Sequence, residues 1–240
     1  MGLIGNEVRA ARNLIVISTP VDLPLITSTN VWARALACGI DTLLIYVVND
    51  NYANTISGCQ ITNTPNATVT VPLPAWMQPQ PMAFEITCGG IYPVNTQLNG
   101  AQLQVNLGTL RTTRFIVLTT NPEWLPAVQR RYETQCRPAL QTFAPDVTTN
   151  IPLSIAQHPV NRVVPPGAST WFNVMAFGSG LRYQWQKNGA NLADGGHYSG
   201  STNAVLYISN ADASDVATYR CVVSTAYATN ISNTATLSLT

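Results

Sequence analysis

Five residues in the last third of the chain, Tyr183, Trp185, Asp215, Tyr219 and Cys221, stand in an order and spacing that few folds accommodate. A tryptophan in mid-strand fills the space between two packed sheets. A tyrosine two residues before a cysteine on a later strand can tie its hydroxyl back to the backbone just upstream. The run Asp215-Val216-Ala217-Thr218-Tyr219-Arg220-Cys221 fits that corner, so this third reads as a packed two-sheet module and not as an active site.

Strand alternation supports the same reading. Phe172, Val174 and Ala176 share one face of a strand, and Leu206 and Ile208 share one face of another, the period-two pattern of strands covered on one side by a core. Turn signals fall between the runs: Pro165-Pro166-Gly167, Lys187-Asn188-Gly189 and Asp194-Gly195-Gly196. One domain is expected over 151–240.

The segment resembles the bacterial immunoglobulin-like repeats of the I-set kind. The resemblance rests on Tyr183 to Gly189, Leu206 to Asn210 and the corner from Asp215 to Cys221. Aligned on Trp185, it puts Val174 where antibody-type domains carry the inter-sheet cysteine. Cys221 is then without its usual disulfide partner and is expected as a small buried hydrophobe beside Val174 and Trp185.

Composition narrows the function classes. Charged residues make up 10% of the 240 and the formal net charge is +1, so the chain lacks the basic field of a nucleic-acid or anionic-membrane binder. No run approaches the roughly 18 apolar residues of a membrane span, so membrane insertion is not expected. Residues 1–10 lack a charged leader and a long apolar core, so an export signal, if used, would lie elsewhere. The cysteines, Cys38, Cys59, Cys88, Cys136 and Cys221, show no Cys-x-x-Cys pair and no histidine at metal spacing, so no metal or other cofactor is expected. With Cys221 buried as a thiol, the other four are open to more than one disulfide pairing.

The first 145 residues read as an antiparallel β-sandwich with helices at its two ends. Helical spacing of Leu3, Ile4, Val8 and Ala11 opens the chain, and Leu14 to Ile17 turns strand-like. Apolar runs follow at 31–37, 42–48, 67–73, 82–87, 102–107 and 113–118, divided by turns at Gly39, Asn49 to Asn51, Pro79 to Pro81, Gly89-Gly90 and Asn99-Gly100. A helix is expected near 121–142, with Thr120 and Glu123 as a capping box and Leu125, Val128, Tyr132 and Cys136 as its buried stripe. Pro138 should kink or end it. The fold class is therefore all-β, two sandwiches joined by the polar, proline-flanked stretch 143–152.

Gly39 to Asn51, Val71 to Trp76 and Leu107 to Leu118 resemble the β-sandwich that follows the catalytic barrel in many glycoside hydrolases, and Gly5 to Leu14 resembles the last barrel helix leading into it. The resemblance implies either the C-terminal accessory part of a carbohydrate-active protein, with an upstream catalytic domain as a partner, or a descendant that has lost its barrel.

No catalytic constellation emerges. The eleven acidic residues offer no pair placed to flank a glycosidic bond, no Gly-x-Ser-x-Gly elbow is present, and His158 and His197 fall in expected surface loops. The remaining clue is aromatic. With Phe172 and Leu206 inward, Trp171 and Tyr207 point outward from neighbouring strands, where two rings could stack on the C–H faces of a sugar while Asn173 and Asn203 bond its hydroxyls. The same rings fit still better a packed cross-strand pair or a surface beneath a domain contact. The leading expectation is a non-catalytic extracellular or cell-surface module that binds polysaccharide or acts as a spacer. The alternative is self-association through strand edges into a layer, filament or coat; an enzyme with a site between the domains comes last.

Overall fold

The computed structural model describes residues 4–56, 58–77, 81–87, 89–143 and 151–240, which divide into two compact units, 1–148 and 149–240. The turn around Pro79, Cys88, the Cys59 side chain and the linker 144–150 lie outside the described residues.

Unit one contains, in order, α1 (Ile4–Val16), β1 (Ser18–Pro20), β2 (Ile26–Thr27), β3 (Val31–Cys38), β4 (Thr42–Asn49), β5 (Tyr52–Thr55), β6 (Gly58–Ile61), β7 (Thr64–Pro72), β8 (Met82–Thr87), β9 (Gly90–Pro93), β10 (Asn95–Asn99), β11 (Gln102–Leu110), β12 (Thr113–Thr119), α2 (Trp124–Arg131) and α3 (Arg137–Phe143). One sheet runs β1-β3-β4-β12-β8-β9 and the other β10-β11-β7-β2, with β5 and β6 as a separate hairpin. The registers are antiparallel throughout. Alternate residues of β4, such as Leu43, Ile45 and Val47, meet Val69 and Val71 of β7 and Leu103 and Val105 of β11 in one buried cluster. That is the core of a two-sheet sandwich.

Three local expectations are corrected. Leu14 to Val16 belong to α1 and not to a strand: Leu14 lies three residues after Ala11 and four after Ala10, and all three are buried as one helical stripe. That burial outweighs the β-preference of Ile15 and Val16. The capping box is absent, because α2 starts later; Asn121 Oδ1 accepts the Glu123 N–H at 3.0 Å, and the Thr120 hydroxyl donates to the Asp41 carbonyl at 3.4 Å. Pro138 does not stop the helix. A π-helical turn over Tyr132–Cys136, in which the Arg137 N–H reaches the Tyr132 carbonyl, absorbs the missing donor, and α3 continues to Phe143. The expected stripe of Leu125, Val128, Tyr132 and Cys136 is buried.

Cys38, one of the four cysteines considered for pairing, is a buried free thiol, and burial pushes its pKa up to about 11.

Unit two contains β13 (Ser154–Gln157), β14 (Arg162–Val164), β15 (Thr170–Asn173), β16 (Met175–Phe177), β17 (Arg182–Lys187), β18 (Ala190–Asn191), β19 (Tyr198–Ser199), β20 (Val205–Ile208), β21 (Ala217–Ser224), β22 (Thr229–Ile231) and β23 (Ala235–Leu239). The larger sheet runs β14-β23-β21-β17-β18, with β22 also on β21; the smaller is β15-β20-β19, and β13 pairs with β16. Strand β14 runs parallel to β23. The β17–β18 hairpin turns on Asn188 and Gly189, both at positive φ, as an Asn-Gly two-residue loop requires. The expected Ser169–Ala176 strand is interrupted at Val174, where the chain leaves β20 and passes to β13, so Asn173 and Met175 are buried along with Phe172 and Ala176.

Candidate functional site

The smaller sheet of unit two sets the geometry. Antiparallel pairing places Trp171 directly opposite Tyr207 and Phe172 opposite Leu206. Side chains alternate across a strand, so Phe172 and Leu206 enter the core while Trp171 and Tyr207, each 40% exposed, stand together on the outer face. Ser199 extends this row on β19.

A third side chain joins the pair. The Arg162 guanidinium lies over the Trp171 ring, 5.1 Å from its centroid, and its Nε donates to the Trp171 carbonyl at 3.1 Å. Burial pulls its pKa below the ordinary arginine value. Among the described residues no carboxylate pairs with it. Sequence reading missed Arg162, although the Pro165-Pro166-Gly167 turn, which folds 162–164 back toward 170–173, is the signal that points to it.

Of the two asparagines, Asn173 is poorly placed for the expected quartet. Asn173 is only 9% exposed and sits opposite Val205. Asn203 is exposed in the loop before β20, where its carbonyl accepts the Trp185 indole N–H at 2.9 Å.

Behind this face the packing residues lie in the core. Trp185, Val174, Tyr219 and Cys221 are buried in one cluster, and Phe172 stacks on Tyr219 with centroids 4.9 Å apart. Tyr219 donates its hydroxyl to the Asp215 carbonyl at 2.7 Å, closing the tyrosine corner. Cys221 is a free thiol whose pKa burial pushes up to about 12.

Asp215 anchors a polar network at one end of the unit. Its carboxylate, 1% exposed, accepts from the Tyr198 hydroxyl, from His197 Nδ1 at 2.7 Å and from the Asp212 N–H at 3.0 Å. Burial acts to raise its pKa, yet the Tyr198 and His197 hydrogen bonds hold it below the usual carboxylate value. The hydrogen bond to Asp215 raises the His197 pKa. Lys187 Nζ donates to the Tyr198 hydroxyl at 2.7 Å and to the Ser214 carbonyl at 2.6 Å. His197, Asp212 and Asp215 bring donor atoms within 4.8 Å of one another, a spacing that a metal could use. The Asp215 carboxylate and His197 Nδ1 are already hydrogen-bonded, however, and Asp212 Oδ1 accepts from the Ser214 N–H and hydroxyl. This is a structural lock. Neither histidine is the plain surface residue expected, since His158 Nδ1 also accepts the Asn233 N–H at 3.0 Å.

Trp76 and Tyr227 are further aromatic residues with exposed rings. In unit one Trp76 is half exposed and borders an open apolar pocket of about 630 Å³ with Ile40 and Pro74. Tyr227 is exposed in the loop between β21 and β22.

Residues 153–239 match the immunoglobulin I-set domain family. The second unit is therefore an I-set immunoglobulin-like domain, and the chain as a whole is all-β. Similar solved structures include domain I10 of titin, with 23% identity over 38% of this chain and 100% of that one, at a TM-score of 0.32. The first domain of Duf (Kirre) is 18% identical over 37% of this chain and 97% of that one, at 0.34. The N-terminal Ig1-2 module of the Drosophila receptor protein tyrosine phosphatase DLAR is 15% identical over 73% of this chain and 91% of that one, at 0.35. No curated protein matches the sequence. Immunoglobulin-like domains generally serve as extracellular or surface modules that bind or space partners. Among the described residues no helix is long and apolar enough to cross a membrane.

Proposed function

We propose that this chain is a non-catalytic accessory protein of the cell surface or extracellular space that binds polysaccharide through the outer face of its immunoglobulin-like domain. The observation that carries the reading is the exposed pair of Trp171 and Tyr207, held in register on adjacent strands. Aromatic faces stack on the apolar C–H faces of sugar rings, and the Arg162 guanidinium beside them offers donors to hydroxyls. Arg162 also holds the indole in place, so less side-chain freedom is lost on binding. The resemblance of the first unit to the sandwich that follows glycoside-hydrolase barrels extends the proposal: the module holds a catalytic domain near its polymer.

The test is retention of the purified chain on a panel of insoluble polysaccharides. Trp171→Ala and Tyr207→Ala should each weaken retention at least about tenfold, some 1.4 kcal/mol, with the fold intact. Wild-type protein that passes through every polymer, or variants retained as well as wild type, would overturn the reading.

A further inference from the structure

The four-stranded sheet of unit one ends in a strand that is unusually open for a protein edge. Among the described residues strand β10 pairs only with β11, and all its residues except the half-buried Thr96 are exposed. Edge strands carry free N–H and C=O groups, and proteins usually blunt them by shortness, charge, proline or a bulge. Several of the other described edges follow that rule, whereas β5, β6 and β15, of four residues each, also lack charge and proline. Strands β2, β18 and β19 have two residues each; β1 has three and ends in Pro20; β9 ends in Pro93. Strand β14 carries Arg162, and β13 has a register shift. Strand β10 has five residues, no charge, no proline and an unbroken register with β11. It lies inside a stretch, 86–110, that contains no Asp, Glu, Lys, Arg or His.

The hairpin fixes which groups are free. Asn99 pairs with Gln102 across the two-residue turn Gly100-Ala101, and such a turn makes the closing pair hydrogen-bonded. Hydrogen-bonded and non-hydrogen-bonded pairs then alternate, so Asn95, Gln97 and Asn99 bond to β11 while the N–H and C=O of Thr96 and Leu98 point away from the sheet. The side chains of Thr96 and Leu98 lie on the same face as their partners Val105 and Leu103, which are buried in the core. Asn95, Gln97 and Asn99 lie on the other face with Gln102, Gln104 and Asn106.

We propose that β10 is an assembly edge at which two copies of this chain pair antiparallel about a two-fold axis through Gln97. In that register Thr96 faces Leu98 of the second copy and Leu98 faces its Thr96, each pair exchanging both backbone hydrogen bonds. Gln97 meets its own counterpart in a close, non-hydrogen-bonded pair, where the two amides can bond to each other. Leu98, 38% exposed in the single chain, is covered by the second copy. A two-fold axis sets like beside like, so a charged edge repels its own copy, whereas this neutral, amide-bearing edge does not. That electrostatic self-compatibility permits a second copy as the occupant, and the two-fold register supplies it with a complete set of backbone partners. Five residues bury little surface, which places the association in the weak, concentration-dependent class.

Sedimentation equilibrium of the full chain tests the proposal over about 10 µM to about 1 mM, the range in which weak interfaces assemble. The average mass of the wild type should climb from one chain toward two. Thr96→Pro removes an outward N–H without touching the β11 ladder, and Gln97→Lys sets two like charges face to face; both should stay monomeric with unchanged circular dichroism. Gln97→Cys should give a covalent dimer on oxidation where the wild type gives none. If Thr96→Pro fails to fold, the exposed Gln97→Lys carries the test. A wild type that remains monomeric throughout, or Gln97→Lys that associates as the wild type does, overturns the proposal.

Discussion

Asp215 shows how one residue can hold a corner of a sandwich. Its carboxylate gathers Tyr198, His197 and the Asp212 N–H, while its carbonyl takes the Tyr219 hydroxyl. Asp215→Ala strands those donors in a buried place, and a loss of about 3 kcal/mol in urea unfolding is expected. Tyr219→Phe removes one bond and should cost about 1 kcal/mol. The pair of Asp215 and His197 also sets a pH dependence. The raised pKa of His197 means that its contribution is complete below the ordinary histidine value of 6.5 and fades as pH rises through its folded-state value. The lowered pKa of Asp215 means that its contribution is complete above 3.8 and fades as pH falls through its folded-state value. Stability from this pair is therefore greatest in weak acid. His197→Gln should flatten the alkaline side of a plot of urea midpoint against pH; an unchanged slope there would exclude the histidine as its source.

At the scale of elements, Asn49 joins chain segments that the sheets alone leave separate. Its amide donates to the carbonyls of Thr62, Leu110 and Arg111, and its side-chain oxygen accepts from the Asn51 N–H and the Thr64 hydroxyl. The end of β4, the β5–β6 hairpin and the turn from β11 to β12 all meet there. Asn49→Ala leaves several buried groups unpaired, and a loss of about 3 kcal/mol is expected by denaturant titration. Sequence marks this position only as a turn, because its partners are remote along the chain. The strands of unit one were legible because each is a short apolar run closed by Gly, Asn or Pro, and the runs at 31–37, 42–48 and 82–87 need little adjustment. The helices were less legible. Local chemistry points to a cap at Thr120, but the Asp41, Thr42, Thr119 and Asn121 network, spanning two strand ends and the helix start, decides where α2 begins. At the candidate site, alternation placed Trp171 and Tyr207 outward. It could not anticipate the break at Val174 that buries Asn173, because that break belongs to the exchange of one partner strand for another.

At the scale of the whole molecule, the chain is two units, each with its own core. Residues 149–240 expressed alone should fold, unfold in one cooperative urea transition, and hold Trp185 in an apolar setting with blue-shifted fluorescence. A fragment lacking that transition would show that its stability depends on unit one. The same fragment contains a single cysteine, Cys221, packed with Val174 in the cluster where antibody-type domains carry a covalent bridge. Its two sheets are held by packing and hydrogen bonds, with no covalent bridge. The reduction potential of the surroundings therefore has no purchase on this domain: its urea midpoint should be the same with and without a thiol reductant, so it can fold equally well in a reducing and in an oxidising medium.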